Sequence, residues 1–138
     1  MAQLQVTVVE AKNIKRKDFF SESDPFVQVY LDNKNNKQKT KVKRNTKNPQ
    51  WDEILVLNHL KGQDFLYVDI CDKDPLKDDI IGSIKIDLSD LYETNHIDNW
   101  FTIPAKDGKK SKVGKKSKVG TKSCGELHLI FDYQPLKV

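Results

Sequence analysis

The chain has 138 residues and a formal net charge of +4, with 24 lysine and arginine residues against 20 acidic ones. This length is typical of one domain that buries its own hydrophobic core. The sequence holds no apolar run long enough to span a bilayer, and its first residues, MAQLQVTVVE, lack the pattern of a secretory leader. We therefore expect a soluble, cytoplasmic protein in which residues 1–138 form a single domain.

The positive charge is concentrated in one segment. Residues 105–123 contain eight lysines and one aspartate, so this segment carries +7 and the remainder of the chain carries −3. The segment repeats KKSKVG in tandem, and it has too little apolar surface to offset the entropy lost on ordering. We therefore expect residues 105–123 to be a lysine-rich flexible insert with an anionic partner. No aromatic residue interleaves the lysines, which argues against nucleic acid as that partner.

In the first half of the chain, alternation of apolar and polar residues predicts four strands, at 4–8, 26–31, 37–43 and 51–57. The third of these strands has a lysine at every second position from Lys37 to Lys43. An extended chain would place these four ammonium groups on one face, spread over about 20 Å. The pattern therefore predicts a basic stripe along this strand.

In the second half of the chain, the same pattern predicts strands at 65–71, 81–86, 100–103 and 126–133. One short helix is predicted near 88–95, with Ser89 as its N-cap. Trp51 and Trp100 lie on strand patterns and are expected in the core. Eight strands and one short helix predict an all-β fold, an eight-stranded antiparallel Greek-key β-sandwich.

Four aspartates follow the fifth predicted strand within eight positions: Asp72, Asp74, Asp78 and Asp79. Two like charges about 4 Å apart repel by roughly 4 kcal/mol at the effective dielectric of a protein surface, so a bound cation would stabilise the group. The ligand atoms in this stretch are carboxylate and carbonyl oxygens, without a histidine or a cysteine cluster, which favours a hard ion such as calcium. A solvated acidic turn is the alternative.

Strand order brings a second acidic loop towards this one. If consecutive strands run antiparallel, the connections after the first, third, fifth and seventh strands emerge at the same end of the sandwich. That end would hold Asp18 and Asp24, the loop at 45–50, the four aspartates and the lysine-rich insert. We therefore expect the acidic loops and the basic insert to be neighbours.

Four sequence segments now carry a family resemblance. LQVTVVEAKNI, SDPFV, KQKTKVKRNTKNPQWDE and DKDPLKDDIIG occur in this order. Together they resemble the C2 domain, the calcium-dependent phospholipid-binding module of protein kinase C and synaptotagmin, over nearly the whole chain. GELHLIFDYQP resembles the strand that begins the family's other topology, which implies the permuted, type II arrangement with both termini opposite the calcium loops.

The resemblance implies a set of calcium ligands. These are the side chains of Asp18, Asp24, Asp72, Asp74 and Asp79, together with the backbone carbonyl groups of Lys17 and Lys73. The third loop is one residue shorter than the common family spacing, so Asp78 is a further candidate that would share or take the role of Asp79.

Other residues are candidates for lipid contact. Phe19, Phe20 and Leu76 are apolar residues at loop tips, and a side chain of this size gains about 1.5 to 3 kcal/mol on leaving water. Lys39 and Lys41 match positions in the phosphoinositide-binding groove of the family. Gln28 and Cys71 stand where protein kinase C carries a lysine and a tryptophan, so the match of this groove is partial.

The sequence as a whole predicts calcium-dependent binding to anionic phospholipid membranes, including phosphatidylserine and, as a finer possibility, phosphoinositides. The alternative is a calcium-independent adaptor that binds an acidic protein, a phosphoinositide or a nucleic acid through its lysines. An enzyme that uses paired carboxylates is a third class. Because the three histidines lie in different predicted elements and form no catalytic or zinc constellation, we expect a protein that is not an enzyme.

Overall fold

The computed structural model describes residues 2–15, 22–32, 36–104 and 123–135. These residues form two antiparallel sheets of four strands each and one short helix, which confirms the predicted β-sandwich. In chain order the elements are β1 Ala2–Lys12, β2 Pro25–Tyr30, β3 Gln38–Lys39, β4 Gln50–His59, β5 Phe65–Asp72, β6 Asp79–Asp87, α1 Ser89–Thr94, β7 His96–Pro104 and β8 Ser123–Gln134.

The first sheet has the strand order β4-β1-β8-β7 and the second has the order β3-β2-β5-β6. The last strand, β8, therefore pairs with the first strand, β1, as the permuted arrangement requires. Inward-facing residues of both sheets form one core, in which Leu66, Val68 and Ile70 of β5 are fully buried, as their alternation predicts. Cys71 and Cys124 are buried free thiols.

The predicted strand at 37–43 is wrong in length, because the regular strand is only Gln38–Lys39. The side chain of Thr40 is the physical cause. Its hydroxyl oxygen accepts the hydrogen bond of the Val27 N–H at 2.9 Å, where a backbone carbonyl would continue the ladder. The following residues run irregularly beside β2, and the Lys43 N–H donates to the Pro25 carbonyl oxygen at 3.0 Å. The four lysines therefore do not follow one regular strand.

Two smaller predictions also differ from the structure. Trp51 is buried as expected, whereas Trp100 is partly exposed on the outer face of the first sheet. Ser89 is not the N-cap of α1, because that position is Leu88. The Asp87 carboxylate instead accepts hydrogen bonds from the Ser89 N–H and the Ser89 hydroxyl group, at 2.9 and 2.6 Å.

One end of the sandwich, here called the rim, is formed by residues 22–24, the connection 40–49 and residues 72–79. The connection 40–49 joins the two sheets there: the Thr46 N–H donates to the Ser23 carbonyl oxygen, and the Ala11 N–H donates to the Pro49 carbonyl oxygen. The facing ends of β7 and β8, Pro104 and Ser123, lie at the same end. Gln3 pairs with Gln134 at the opposite end, so both described ends of the chain lie far from the rim, as predicted.

Candidate metal centre

The strand register brings two acidic segments together at the rim. Pro25 at the start of β2 pairs with Asp72 at the end of β5, and Asp72 pairs with Asp79 at the start of β6. Neighbouring strands lie about 4.8 Å apart, so Asp24, Asp72 and Asp79 occupy adjacent positions along one edge. The convergence predicted from strand parity is therefore present for these residues.

Hydrogen bonds join Asp24 to the beginning of the third rim loop, residues 73–78. The Asp24 N–H donates to Oδ1 of Asp72 at 2.9 Å, and the Lys73 N–H donates to the Asp24 carbonyl oxygen at 3.0 Å. Oδ1 of Asp24 accepts a hydrogen bond from the Asn45 N–H at 2.6 Å. These carboxylates are therefore held in place by backbone donors, and a cation would have to compete with those donors.

The third rim loop is braced by its own aspartates. Oδ1 of Asp78 accepts from the Asp74 N–H at 3.2 Å and lies 3.5 Å from the Lys73 ammonium group. Oδ1 of Asp74 accepts from the Leu76 N–H at 3.0 Å, which closes a tight turn. Asp78 thus interacts with the loop itself, whereas Asp79 lies in the sheet register beside Asp72.

The donor chemistry of the rim fits a hard divalent cation. The rim segments 22–24 and 72–79 supply carboxylates, which are the ligands that calcium prefers. Cys71 lies next to Asp72, but burial raises the pKa of its thiol to about 12, so it stays protonated and is a poor ligand. Within the described ranges, no three histidine, cysteine, aspartate or glutamate side chains are grouped closely enough to hold a metal ion.

Several predicted site residues lie outside the described residues. These are Lys17, Asp18, Phe19 and Phe20, which follow β1 in the sequence, together with nearly all of the lysine-rich insert. Leu76, the remaining apolar candidate, is 97% exposed at the tip of the third rim loop. The described part of the rim therefore presents a fully projecting leucine next to its carboxylates.

The two lysines predicted for phosphoinositide contact, Lys39 and Lys41, are both exposed. Lys39 pairs with Gln28 of β2, and the Lys41 N–H donates to the Glu53 carboxylate at 2.9 Å. Behind them, the Gln28 side-chain amide donates to Oδ2 of the buried Asp69 at 2.8 Å. The predicted phosphoinositide site therefore contains a buried carboxylate and an amide, which would not attract a phosphate group as a lysine does.

Asn45 is a rim residue that sequence reasoning missed. Its backbone is left-handed, with φ of 52°, and its side-chain oxygen accepts from the Glu22 N–H at 3.0 Å while its own N–H holds Asp24. Asparagine tolerates this conformation better than most residues. An asparagine in a loop next to the acidic segments was the available signal, but its pairing with Asp24 depends on the fold.

The histidines do not form a catalytic group. His59 is buried at the end opposite the rim, where Nε2 donates to the Gln63 carbonyl oxygen at 2.7 Å and Nδ1 accepts from the Tyr133 hydroxyl at 3.1 Å. His96 and His128 each contact an aspartate on the outer face of the first sheet.

An open depression of about 470 Å³ lies beside His59. No described helix is long and apolar enough to cross a membrane.

Comparison with known proteins assigns a family. The sequence profile of the C2 domain family matches residues 2–103. Human synaptotagmin-7 is 33% identical over 139 aligned residues, which cover 96% of this chain and 32% of that protein. A calcium-dependent lipid-binding protein of Arabidopsis thaliana is 35% identical over 115 residues, covering 78% of this chain and 22% of that protein.

A solved structure shares both fold and sequence. The calcium-bound C2A and C2B domains of extended synaptotagmin 2 superpose with a TM-score of 0.72 at 26% identity, over 96% of this chain and 45% of that chain. The chain spans about a tenth to a third of the length of the curated relatives it matches.

Proposed function

The chain belongs to the C2 domain family, and from that membership we propose that it binds anionic phospholipid membranes when calcium occupies its rim. The observation that carries this proposal is the register in which Pro25, Asp72 and Asp79 are successive partners across three strands. This register gathers carboxylates from two separate loops at one edge. We propose that the lipid is phosphatidylserine and that the protein binds it from the cytoplasm.

The proposed ligands are carboxylates and carbonyl groups of two segments, residues 17–24 and residues 72–79. They are Asp18, Asp24, Asp72, Asp74 and Asp79, with the carbonyl groups of Lys17 and Lys73, and Asp78 is a further candidate. Calcium takes six to eight oxygen ligands, so five carboxylates and two carbonyl groups could hold two or more ions incompletely. Lipid phosphate or carboxylate oxygens would then complete the coordination. Without the ion, the four aspartates of residues 72–79, which face only two lysines in that segment, are repelled by anionic headgroups.

Two further groups add to membrane contact in this proposal. Leu76, Phe19 and Phe20 enter the apolar layer beside the headgroups. The lysines of the insert add roughly 1 kcal/mol each when they lie near an anionic surface. Lys39 and Lys41 form a finer proposal, phosphoinositide binding, which the buried Asp69 carboxylate behind them opposes.

The same family membership supports a binding module in preference to an enzyme, and a calcium-independent adaptor is the competing binding function. The concentration of lysine in 105–123 favours the adaptor, because eight lysines could bind an acidic partner without calcium. Adaptor binding would survive a chelator and weaken steeply with salt. Calcium dependence therefore separates the two functions.

The test is a calcium titration of binding to phosphatidylserine vesicles. We expect Asp24→Asn and Asp74→Asn each to weaken calcium-dependent binding by roughly tenfold or more, because each removes a charged ligand and 1.4 kcal/mol corresponds to a factor of ten. Asp64→Asn is the matched control, since Asp64 is an exposed aspartate at the opposite end of the sandwich. Titrations of both rim variants that overlay the unsubstituted protein would refute the proposed site.

A further inference from the structure

The outer face of the first sheet carries apolar side chains where a solvated antiparallel sheet usually carries polar ones. Ile54, Val56 and Trp100 are 61%, 42% and 39% exposed. The register aligns Ile54 with Thr7 and Thr7 with Ile130. These apolar side chains lie on β4, β8 and β7 and are here called the apolar band. They share the face with Thr7 of β1 and with Asp98, the register partner of Ile130, over about 14 Å at the usual strand spacing.

Acidic side chains flank this band. Register and alternation place Glu10, Asp98, Glu126 and Asp132 on the same outer face. Lys12 is the one lysine or arginine among the described outward positions of these four strands. Four carboxylates and one ammonium group therefore lie on this face, and His96 and His128 each contact one of the carboxylates.

The polar groups around the band are held in defined positions. The His128 ring stacks on Trp100 with centroids 4.9 Å apart, and the Lys12 ammonium group lies 4.5 Å from the centroid of the same indole ring. Asp98 contacts His128 at 2.5 Å and Asp132 contacts His96 at 2.6 Å. Side chains fixed in this way lose less conformational entropy when a partner binds.

The outer face of the second sheet holds both lysines and carboxylates, since the register places Asp69 and Asp87 on the same face as Lys85. There the ammonium groups of Lys37 and Lys85 lie over the rings of Tyr30 and Phe65, at 5.6 and 4.2 Å, and Lys39 is exposed nearby. An anionic bilayer is repelled by the acidic face of the first sheet. The occupant that complements the acidic face therefore has to be cationic.

We propose that the outer face of the first sheet is a docking site for a protein segment that combines arginine and lysine with apolar side chains. The apolar residues of the partner would pack on Ile54, Val56, Ile130 and Trp100. Its cationic groups would pair with the flanking carboxylates, which gives the orientation and the association rate that complementary charge provides. This site is separate from the rim, so a partner can bind while the rim faces a membrane.

The probe is a synthetic peptide of roughly a dozen residues that alternates arginine with leucine and tryptophan, titrated into the full chain and followed by backbone amide NMR. We expect shift changes at the outward positions of β4, β1, β8 and β7. Ile54→Thr combined with Val56→Thr should weaken binding about tenfold, because apolar contact is lost while β-branching is kept. Asp98→Asn combined with Asp132→Asn should weaken binding and reduce its salt dependence.

The matched control is Ile80→Thr, which alters a 40% exposed isoleucine on the other sheet and should leave the affinity unchanged. A control peptide with glutamate in place of arginine should not bind. The proposal is overturned if the shifts fall on the rim aspartates or if the Ile54→Thr, Val56→Thr variant binds as before. It is also overturned if that variant loses vesicle binding or dissociates a self-assembled form, since the face would then meet lipid or a second copy.

Discussion

Leu76 is an almost fully exposed leucine at the tip of the third rim loop, next to Asp74 and Asp78. An apolar side chain in this position gains nothing from the protein core, so its contribution must come from outside the chain. We predict that Leu76→Ser weakens calcium-dependent vesicle binding by about ten- to a hundredfold, because the side chain would gain about 1.5 to 3 kcal/mol on entering the bilayer. Vesicle binding at saturating calcium is the measurement.

Leu60→Ser is the control for Leu76, because Leu60 is 50% exposed at the opposite end of the sandwich. It should leave vesicle binding unchanged. Equal losses in the two variants, or no loss in either, would contradict membrane insertion by Leu76.

At the scale of single residues, the sequence positions of the aspartates and the alternation along the strands predicted which residues share the rim. Contacts that form only after the loops fold could not be predicted. Asp24, Asp72 and Asp79 could be placed on one rim because strand parity depends only on the number of strands between them. The role of Asn45 could not be predicted, because its N–H meets Asp24 only after both loops have folded. The outward position of Trp100 could not be predicted either, since its strand pattern does not show which face is buried.

At the scale of elements, Gly125 allows the start of β8 to lie close to the end of β1. Its φ is 118°, and a Cβ there would lie 2.6 Å from the Lys12 carbonyl oxygen and 2.9 Å from that of Asn13. We predict that Gly125→Ala lowers the free energy of unfolding by roughly 2 kcal/mol more than Gly62→Ala, because overpacking against backbone typically costs about 1 to 3 kcal/mol. Denaturant unfolding of both variants measures this difference.

Gly62→Ala separates the two causes, because Gly62 also has a positive φ, 92°, but nothing lies within 4 Å of its Cβ position. Equal destabilisation of the two variants would mean that backbone conformation alone accounts for the loss. The close approach of β8 to β1 would then be unimportant for stability.

Most elements could be predicted because one face of each strand is buried, which imposes a period of two on the sequence. β3 was one exception. Its lysines alternate with residues that do not mark a buried face, and the Thr40 hydroxyl group replaces a backbone hydrogen bond of the ladder. β7 begins at His96, earlier than predicted, because its outward polar positions hide the pattern. The sequence carried no signal for the length of either strand.

At the scale of the whole molecule, the sandwich separates charge by surface. The outer face of the first sheet is acidic, whereas the outer face of the second sheet carries lysines beside aromatic rings. The described rim holds six carboxylates and six lysine or arginine side chains, with four of the carboxylates in residues 72–79. A net charge of +4 therefore says little about which surface meets a bilayer. We propose that the rim is the surface that meets the membrane, with calcium making it attractive to anionic lipid.

The most direct test of this account is co-sedimentation with vesicles, with and without phosphatidylserine, in calcium and in chelator. The intact chain is compared with a chain that lacks residues 106–122. The account predicts that both chains need calcium and anionic lipid together, because the rim aspartates are the switch. Equal binding of the intact chain in chelator, abolished by the deletion, would contradict it and make the lysines the anchor.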